Sequence, residues 1–270
     1  MIGLLFDKMV KNTIEFMRIH QPPEGYYQAM SFGKDSCVVK KLCELGGIKH
    51  DSHYSVTTID PPELIRFGKE HYPDTIWDRP EKPFLKEMVY HGAPRRQSRW
   101  CCEIYKEGGG EGRTVLTGIR WEESHRRRKQ RKPFEVCWKG KGKKTLNPII
   151  HWSERDVWLF IGKYNVPYCD LYDMGRRRLG CVFCPMGKQK ERDRDVQQYP
   201  GFVKAFQRSF ADLYSDRKTK RTGGIRCFRD GIDMWDWWIS GKSTKAWCAS
   251  KGLPYSTLKE WKEQKKQEAK

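Results

Sequence analysis

Residues 26–43 decide the fold: Tyr26-Tyr27-Gln28-Ala29-Met30-Ser31-Phe32-Gly33-Lys34-Asp35-Ser36-Cys37-Val38-Val39-Lys40-Lys41-Leu42-Cys43. Tyr26–Met30, entered after the Pro22-Pro23-Glu24-Gly25 break, reads as a short strand, and Cys37–Cys43 reads as a helix. Between them Ser31–Ser36 turns one into the other. A strand-to-helix turn of this kind suits phosphate. Gly33 lets backbone come close, small hydroxyls and free helix N–H groups donate to oxygen, and Lys34 brings a cation. The Walker pattern G-x-x-x-x-G-K-[ST] is absent, which excludes an ordinary P-loop NTPase. Taken alone, the hexapeptide also reads as a surface turn that caps a helix.

Outward from this loop, strands and helices alternate. Residues 2–18 place Leu5, Met9 and Met17 near helical spacing, and His53–Thr58 reads as a second strand. Pro62-Glu63-Leu64-Ile65 opens a helix with proline in its first turn. Thr75–Trp77 and Thr114–Gly118 are further strands, and Ser153 with Asp156 forms a capping-box start for a helix ending near Tyr164. The alternation predicts an α/β fold, a parallel sheet with helices on both faces. Lys139–Lys144 reads as a polar loop. From Glu191 charge-rich helical patterns take over, so the expected domains are 1–190 and a helical, basic extension, 191–270. No internal repeat is seen.

The chain has 270 residues and a formal charge of +19, with 37% apolar and 32% charged residues. So basic a surface expects an anionic partner: nucleotide phosphates, a sulfated substrate or nucleic acid. No run of about 18 apolar residues offers a membrane span, and the apolar start Met1–Phe6 is too short for a secretory signal. The expectation is a cytoplasmic protein away from membranes. In a reducing compartment, ten cysteines point to metal or chemistry more than to disulfides. Cys101-Cys102 and Cys181-x-x-Cys184 give the sharpest metal pattern, with zinc, iron–sulfur and inert buried thiols all open from spacing alone. Cys37 and Cys43, behind the loop, read as small buried hydrophobes. Cys227, among cations, is a candidate nucleophile.

The loop Ser31–Ser36 resembles the Ser-Gly-Gly-x-Asp-Ser pyrophosphatase loop of the adenine nucleotide alpha-hydrolase superfamily, with Phe32 at the first glycine. Cys101-Cys102-Glu103-Ile104-Tyr105-Lys106 resembles the Cys-Cys-x-x-x-Lys element of the phosphoadenosine phosphosulfate reductase family. Gly118-Ile119-Arg120 with Ser124 and Arg127, Asn147–Trp152 leading to Asp156-Val157-Trp158, Leu171–Gly175 and Gly180–Pro185 follow in that family's order. One departure lies at Val56-Thr57-Thr58-Ile59-Asp60-Pro61-Pro62-Glu63, where the family reads Asp-Thr-Gly-x-x-Phe-Pro-Glu.

The resemblance implies an adenine nucleotide alpha-hydrolase-like fold that binds ATP or an adenylylsulfate-type nucleotide, with magnesium offsetting charge in ATP chemistry. It implies nucleotide contacts from Ser31, Gly33, Lys34, Asp35, Ser36, Thr57, Gly118, Arg120 and Arg127, with Lys34, Asp35 and Arg120 at the reaction. It also implies a 4Fe-4S cluster on Cys101, Cys102, Cys181 and Cys184. The reductases' C-terminal Glu-Cys-Gly-Leu-His-like motif has no counterpart here. The reading therefore leans to an ATP-pyrophosphatase-like enzyme of sulfur transfer or nucleic-acid modification, with a sulfur donor protein as partner. The competing readings are a sulfonucleotide reductase served by a thioredoxin-like reductant, and a non-enzymatic nucleic-acid-binding protein with a structural metal. The indole run Asp233–Ile239 reads as helical core rather than a base-stacking surface, and Leu258–Lys270 as a basic tail able to touch a nucleic-acid backbone.

Overall fold

The computed structural model describes residues 2–136, 142–219, 228–253 and 255. The expectations for Cys227, the Lys139–Lys141 part of the polar loop and the tail Leu258–Lys270 lie outside these residues. In chain order the elements are α1 (Ile2–Ile19), β1 (Tyr26–Met30), α2 (Lys34–Gly46), β2 (His50–Ser55), α3 (Pro62–His71), β3 (Ile76–Asp78), α4 (Phe84–His91) and α5 (Trp100–Tyr105). They continue with β4 (Thr114–Leu116), a 3-10 turn (Trp121–Glu123), α6 (His125–Gln130), β5 (Phe134–Val136), β6 (Lys144–Leu146) and α7 (Glu154–Lys163). The last are α8 (Gln189–Gln198), α9 (Pro200–Thr219), α10 (Gly231–Ser240) and α11 (Thr244–Ser250). By contacts the chain forms two units, Met1–Pro80 with Cys102–Gly180, and Glu81–Cys101 with Cys181–Lys270.

The first unit holds a six-stranded sheet in the order β3-β2-β1-β4-β6-β5, parallel except for the edge strand β5. The α/β class with a parallel sheet is as the alternation predicts. Because side chains alternate along a strand, Tyr26, Gln28 and Met30 share one face of β1. Tyr26 Oη donates to the Met17 carbonyl of α1 at 2.7 Å, and Gln28 Nε2 donates to the Ser36 carbonyl of α2 at 2.9 Å. Ser52 of β2 bonds Gln28 Oε1 at 2.6 Å, and Lys40 reaches Ser52 from α2 at 3.3 Å. The helix layer thus sits on this face, over a core of Val38, Val39, Leu42, Leu116, Phe160 and Leu171. Cys37 and Cys43 are fully buried in it, as expected of small hydrophobes. Burial pushes both thiols up to about 12, which makes them poor nucleophiles. The Tyr27 face of the sheet carries Tyr105 of α5 and the segment Gly108–Gly110, whose Gly110 backbone lies against Tyr27 and Val115.

Several sequence expectations shift: β3 is Ile76–Asp78 rather than 75–77, and β4 ends at Leu116 rather than Gly118. The helix after the loop begins at Lys34, so Lys34, Asp35 and Ser36 form its first turn. The second strand is His50–Ser55 rather than 53–58, which leaves Thr57 and Thr58 in the turn that follows. Lys144, read as loop, opens β6 and pairs with Val136.

The second unit has its own aromatic core. Phe206 of α9 stacks on Trp238 of α10 with centroids 5.6 Å apart, and Phe84 of α4 lies 5.9 Å from Phe206. Trp235, Trp237 and Trp238 are buried, so the indole run is core packing, as its spacing suggests. Asp230 caps α10 by accepting the Asp233 N–H at 2.9 Å.

Candidate nucleotide-binding site

The strand order reverses direction between β1 and β4, and in open parallel sheets ligands gather outside the carboxyl ends at such a point. The loop Ser31–Ser36 sits there. Ser36 Oγ donates to the Gly33 carbonyl at 2.9 Å and accepts the Ser31 N–H at 3.2 Å, and the two serine hydroxyls are 3.1 Å apart. Gly33 is the residue before α2, with φ −75° and ψ 153°. That backbone suits any residue, so its value here is space. A Cβ at Gly33 would lie 3.3 Å from Ser31 Oγ and 3.5 Å from Tyr172 Oη.

Gly118, just past β4, closes the other side. A Cβ there would come within 2.9 Å of the Asp35 carbonyl carbon and 3.0 Å of the Ser36 nitrogen, so only glycine lets the two segments touch. Two residues on, Arg120 is 2% exposed. Its Nε donates to Asp35 Oδ1 at 2.6 Å, and its Nη1 meets Glu122 at 3.0 Å and the Trp152 carbonyl at 3.5 Å. Burial works against this charge, but Asp35, Glu123 and Glu122 outweigh it and raise the Arg120 pKa. Glu122 also accepts the Glu154 N–H at the start of α7, which the reciprocal Ser153–Asp156 capping box begins as expected. Lys34, 4% exposed, lies 3.3 Å from Asp35 and 3.9 Å from Glu154. The structure thus brings Ser31, Gly33, Lys34, Asp35, Ser36, Gly118 and Arg120 together, with Arg120 gripping Asp35 from inside.

Arg127 stands in α6, whose start Ser124 caps by accepting the Arg127 N–H at 3.2 Å. Its guanidinium pairs with Glu123. Burial lowers its pKa, Glu123 opposes this, and nearby Arg178 and Arg131 lower it further. Such crowding of cations favours an anion beside them.

Thr57 is 1% exposed and faces inward: its N–H and hydroxyl bond the Asp60 carboxylate at 2.8 and 2.7 Å. Two positions where the resembled motifs carry glycine hold side chains here, Phe32 and Thr58. Both nevertheless keep the left-handed backbone glycine would favour, with φ 54° and 63°. Asp60 and Tyr172 were missed by the sequence reading. Asp60 had a local signal, a Thr-x-x-Asp turn closed by side-chain to backbone bonds. Tyr172 had none, because its hydroxyl accepts the Lys34 N–H from 138 residues away, at 3.0 Å.

On the opposite face of the sheet, Arg113 clamps Asp51 through bonds of 2.7 and 2.5 Å. His53 lies between Asp51, 2.6 Å from Nε2, and Asp78, 3.1 Å from Nδ1, and stacks on Tyr27. The Arg113 hydrogen bond, against burial and with help from His53, holds the Asp51 carboxyl at about 2, below its ordinary 3.8. A depressed carboxyl adds stability above pH 4 and loses it as pH falls toward 2. Asp51 is a third exposed, so screening leaves roughly 1 kcal/mol of this. Asp51→Asn is expected to be less stable than wild type by about 1 kcal/mol at pH 7, with the gap narrowing below pH 4. Urea unfolding across pH 7 to 3 reads it, and a pH-independent gap would refute the linkage.

The cysteines of the metal pattern are thiols of intermediate burial outside any disulfide. Cys101 and Cys102 are adjacent on α5, and Cys181–Cys184 is a turn in the second unit in which the Cys184 N–H meets the Cys181 carbonyl at 3.3 Å. Phe183 anchors that turn. Its N–H donates to Asp195 at 2.9 Å, and its ring packs 5.1 Å from Phe206 and 5.2 Å from Trp235. Arg96 holds the Pro185 and Gly187 carbonyls beside it. The donor chemistry suits a soft metal. Among the described residues, however, no three His, Cys, Asp or Glu side chains are gathered as a metal site. Likewise no described helix is long and apolar enough to cross a membrane.

The phosphoadenosine phosphosulfate reductase domain matches residues 25–187, more than half of the chain. The chain belongs to that family. Among curated relatives, an uncharacterized protein of Methanocaldococcus jannaschii is 27% identical over 243 residues, covering 84% of this chain, which spans only 48% of that protein's length. The adenosine 5'-phosphosulfate reductase of Lysinibacillus sphaericus is 26% identical over 209 residues, 68% of this chain and 84% of the reductase. Among solved structures, the phosphoadenylyl-sulfate reductase of Candida auris, in a phosphate complex, is similar with a TM-score of 0.49 and 21% identity. It covers 65% of this chain and 93% of its own.

Proposed function

We propose that this member of the phosphoadenosine phosphosulfate reductase family is a sulfur-handling enzyme. In this reading it holds an adenine nucleotide by its phosphates at Ser31–Ser36 and acts at the alpha-phosphate, in the manner of an ATP pyrophosphatase. One observation carries the reading: the start of α2, fastened by Asp35–Arg120 and closed by Gly118, leaves an open face at Gly33 bordered by the Ser31 and Tyr172 hydroxyls, with Ser36 holding Ser31 and the Gly33 carbonyl in place. Helix N–H groups and hydroxyls there stabilise phosphate oxygens, and the crowded Arg127 supplies charge for the anion. Lys34 and Arg120 steady Asp35 in the first turn, and Thr57, locked on Asp60, shapes the neighbouring turn. Magnesium would offset phosphate charge during attack. A 4Fe-4S cluster on Cys101, Cys102, Cys181 and Cys184 is the finer part of the proposal, supported by four half-buried thiols and the anchored Cys-x-x-Cys turn. Its test is iron and sulfide analysis with a visible spectrum after anaerobic purification.

A second reading, reduction of an adenylylsulfate-type substrate with a thioredoxin-like reductant, is favoured by the names of the curated bacterial relatives. One experiment separates the two. Purified protein is given ATP with magnesium, or adenylylsulfate with thioredoxin, under anaerobic conditions. Pyrophosphate release supports the first reading and sulfite release the second; neither, with no nucleotide retained, defeats both. Gly33→Ala serves as the control within this assay. Its backbone angles are open to alanine, so stability should change by only about 1 kcal/mol. The added methyl fills the space beside Ser31, and calorimetric affinity for ATP is expected to fall at least about tenfold, the loss of one charge-assisted hydrogen bond. Unchanged affinity would place the phosphates elsewhere.

A further inference from the structure

Tyr172 lies on the segment Leu171–Gly175, for which the reading above has no task. Its hydroxyl accepts the Lys34 N–H at 3.0 Å, the first backbone donor of α2. Its ring lies under the Lys34 ammonium, 5.4 Å from the centroid, and Trp158 braces it edge-on at 5.4 Å. Burial pushes the Tyr172 pKa up, with the Lys34 N–H opposing, so the group remains a protonated phenol. A phenol has one proton to give. The Lys34 N–H uses an oxygen lone pair and leaves that proton available.

The direction in which it can be given is set by Gly33. The side chain that glycine lacks would fall 3.5 Å from Tyr172 Oη and 3.3 Å from Ser31 Oγ, so these hydroxyls both border the face of Gly33 left open to an approaching group. Ser36 Oγ gives its proton to the Gly33 carbonyl, so the Ser31 proton is turned toward Ser36. The Tyr172 proton is the one already free, and with Ser31 turning to join it, beside a helix N-terminus, the pair suits an oxyanion. We infer that the Tyr172 hydroxyl is a phosphate-positioning donor, seating one oxygen of the nucleotide's phosphates between itself and Ser31 while its own oxygen is held in place by the Lys34 N–H. The inference rests on the proposal that this loop binds phosphate.

The test is calorimetry on the full chain with two probes, inorganic pyrophosphate and phosphate-free adenosine. Tyr172→Phe is compared with wild type and with Tyr168→Phe, whose hydroxyl instead meets Asp173. Tyr172→Phe is expected to bind pyrophosphate at least about tenfold more weakly, as for one hydrogen bond to a charged group. Adenosine affinity and the ligand-free melting temperature should stay near wild type, and Tyr168→Phe should bind both probes normally. Equal or tighter pyrophosphate binding by Tyr172→Phe overturns the inference alone. So does a parallel loss for adenosine, which would mark a structural role. If wild type binds no pyrophosphate, the phosphate-loop proposal falls and takes this inference with it.

Discussion

Asp35→Ala is expected to lower the unfolding free energy by about 3 kcal/mol, more than any other single change at the loop's polar groups. The reason lies in the partner it leaves behind. The Arg120 side chain is 3% exposed, and breaking a buried pair by removing one member costs about 3–5 kcal/mol because the remaining charge is stranded. The lower end applies because Asp35 is itself 22% exposed and Glu122 still reaches Nη1 at 3.0 Å. For a chain of this size the melting temperature should fall by roughly 10 °C. Asp35→Asn keeps an acceptor near Nε and should lose about half as much. Pairing Asp35→Ala with Arg120→Met should recover much of the loss, since an apolar replacement for both partners is often neutral. Denaturant melts of the four proteins decide the matter. If Asp35→Ala melts like wild type, the internal grip is not what orders this loop. The comparison also bears on function, because lost activity in Asp35→Ala alone would not tell a reacting carboxylate from a missing anchor.

What the sequence exposed and what it hid follow from the range of the interactions. The strand, loop and helix at residues 26–43 are a local matter of buried runs and small residues, and so was the capping box at Ser153. β2 was misplaced because His50-Asp51-Ser52-His53 reads as polar loop. It pairs as a strand because β1 and β3 flank it and because Arg113, 62 residues away, neutralises Asp51. The short strands β5 and β6 lie in a charged stretch without alternation. The loop motif marked Asp35 and the later motif marked Arg120, but their contact spans 85 residues and has no sequence signature. The same holds for Tyr172 on Lys34. Residues 81–101 join the second unit through contacts such as Trp238 Nε1 to the Pro94 carbonyl, 144 residues apart. Nothing in their composition announces that.

Phe32 offers a test in which the order of two variants matters more than their size. Its left-handed backbone, φ 54°, costs a non-glycine residue roughly 1–2 kcal/mol. The chain tolerates this because the ring is fully buried. It stacks on Tyr54 at 4.4 Å, lies within 6.5 Å of Trp77, Tyr72 and Phe67, and rests on Gly68, where a Cβ would fall 2.4 Å from the ring. Removing it should cost about 3–5 kcal/mol in lost contacts and cavity, far more than the backbone strain returned. Phe32→Ala is therefore expected to lose about 4 kcal/mol, since it keeps the strain and forfeits the ring. Phe32→Gly restores the loop's glycine and should be the more stable of the two by about 1 kcal/mol, the reverse of their usual order in regular structure. Guanidinium unfolding of both proteins measures the difference. If the alanine variant proves as stable as the glycine one, the backbone at position 32 is unstrained, and the aromatic cluster is not what holds the loop Ser31–Ser36 in a glycine conformation without glycine.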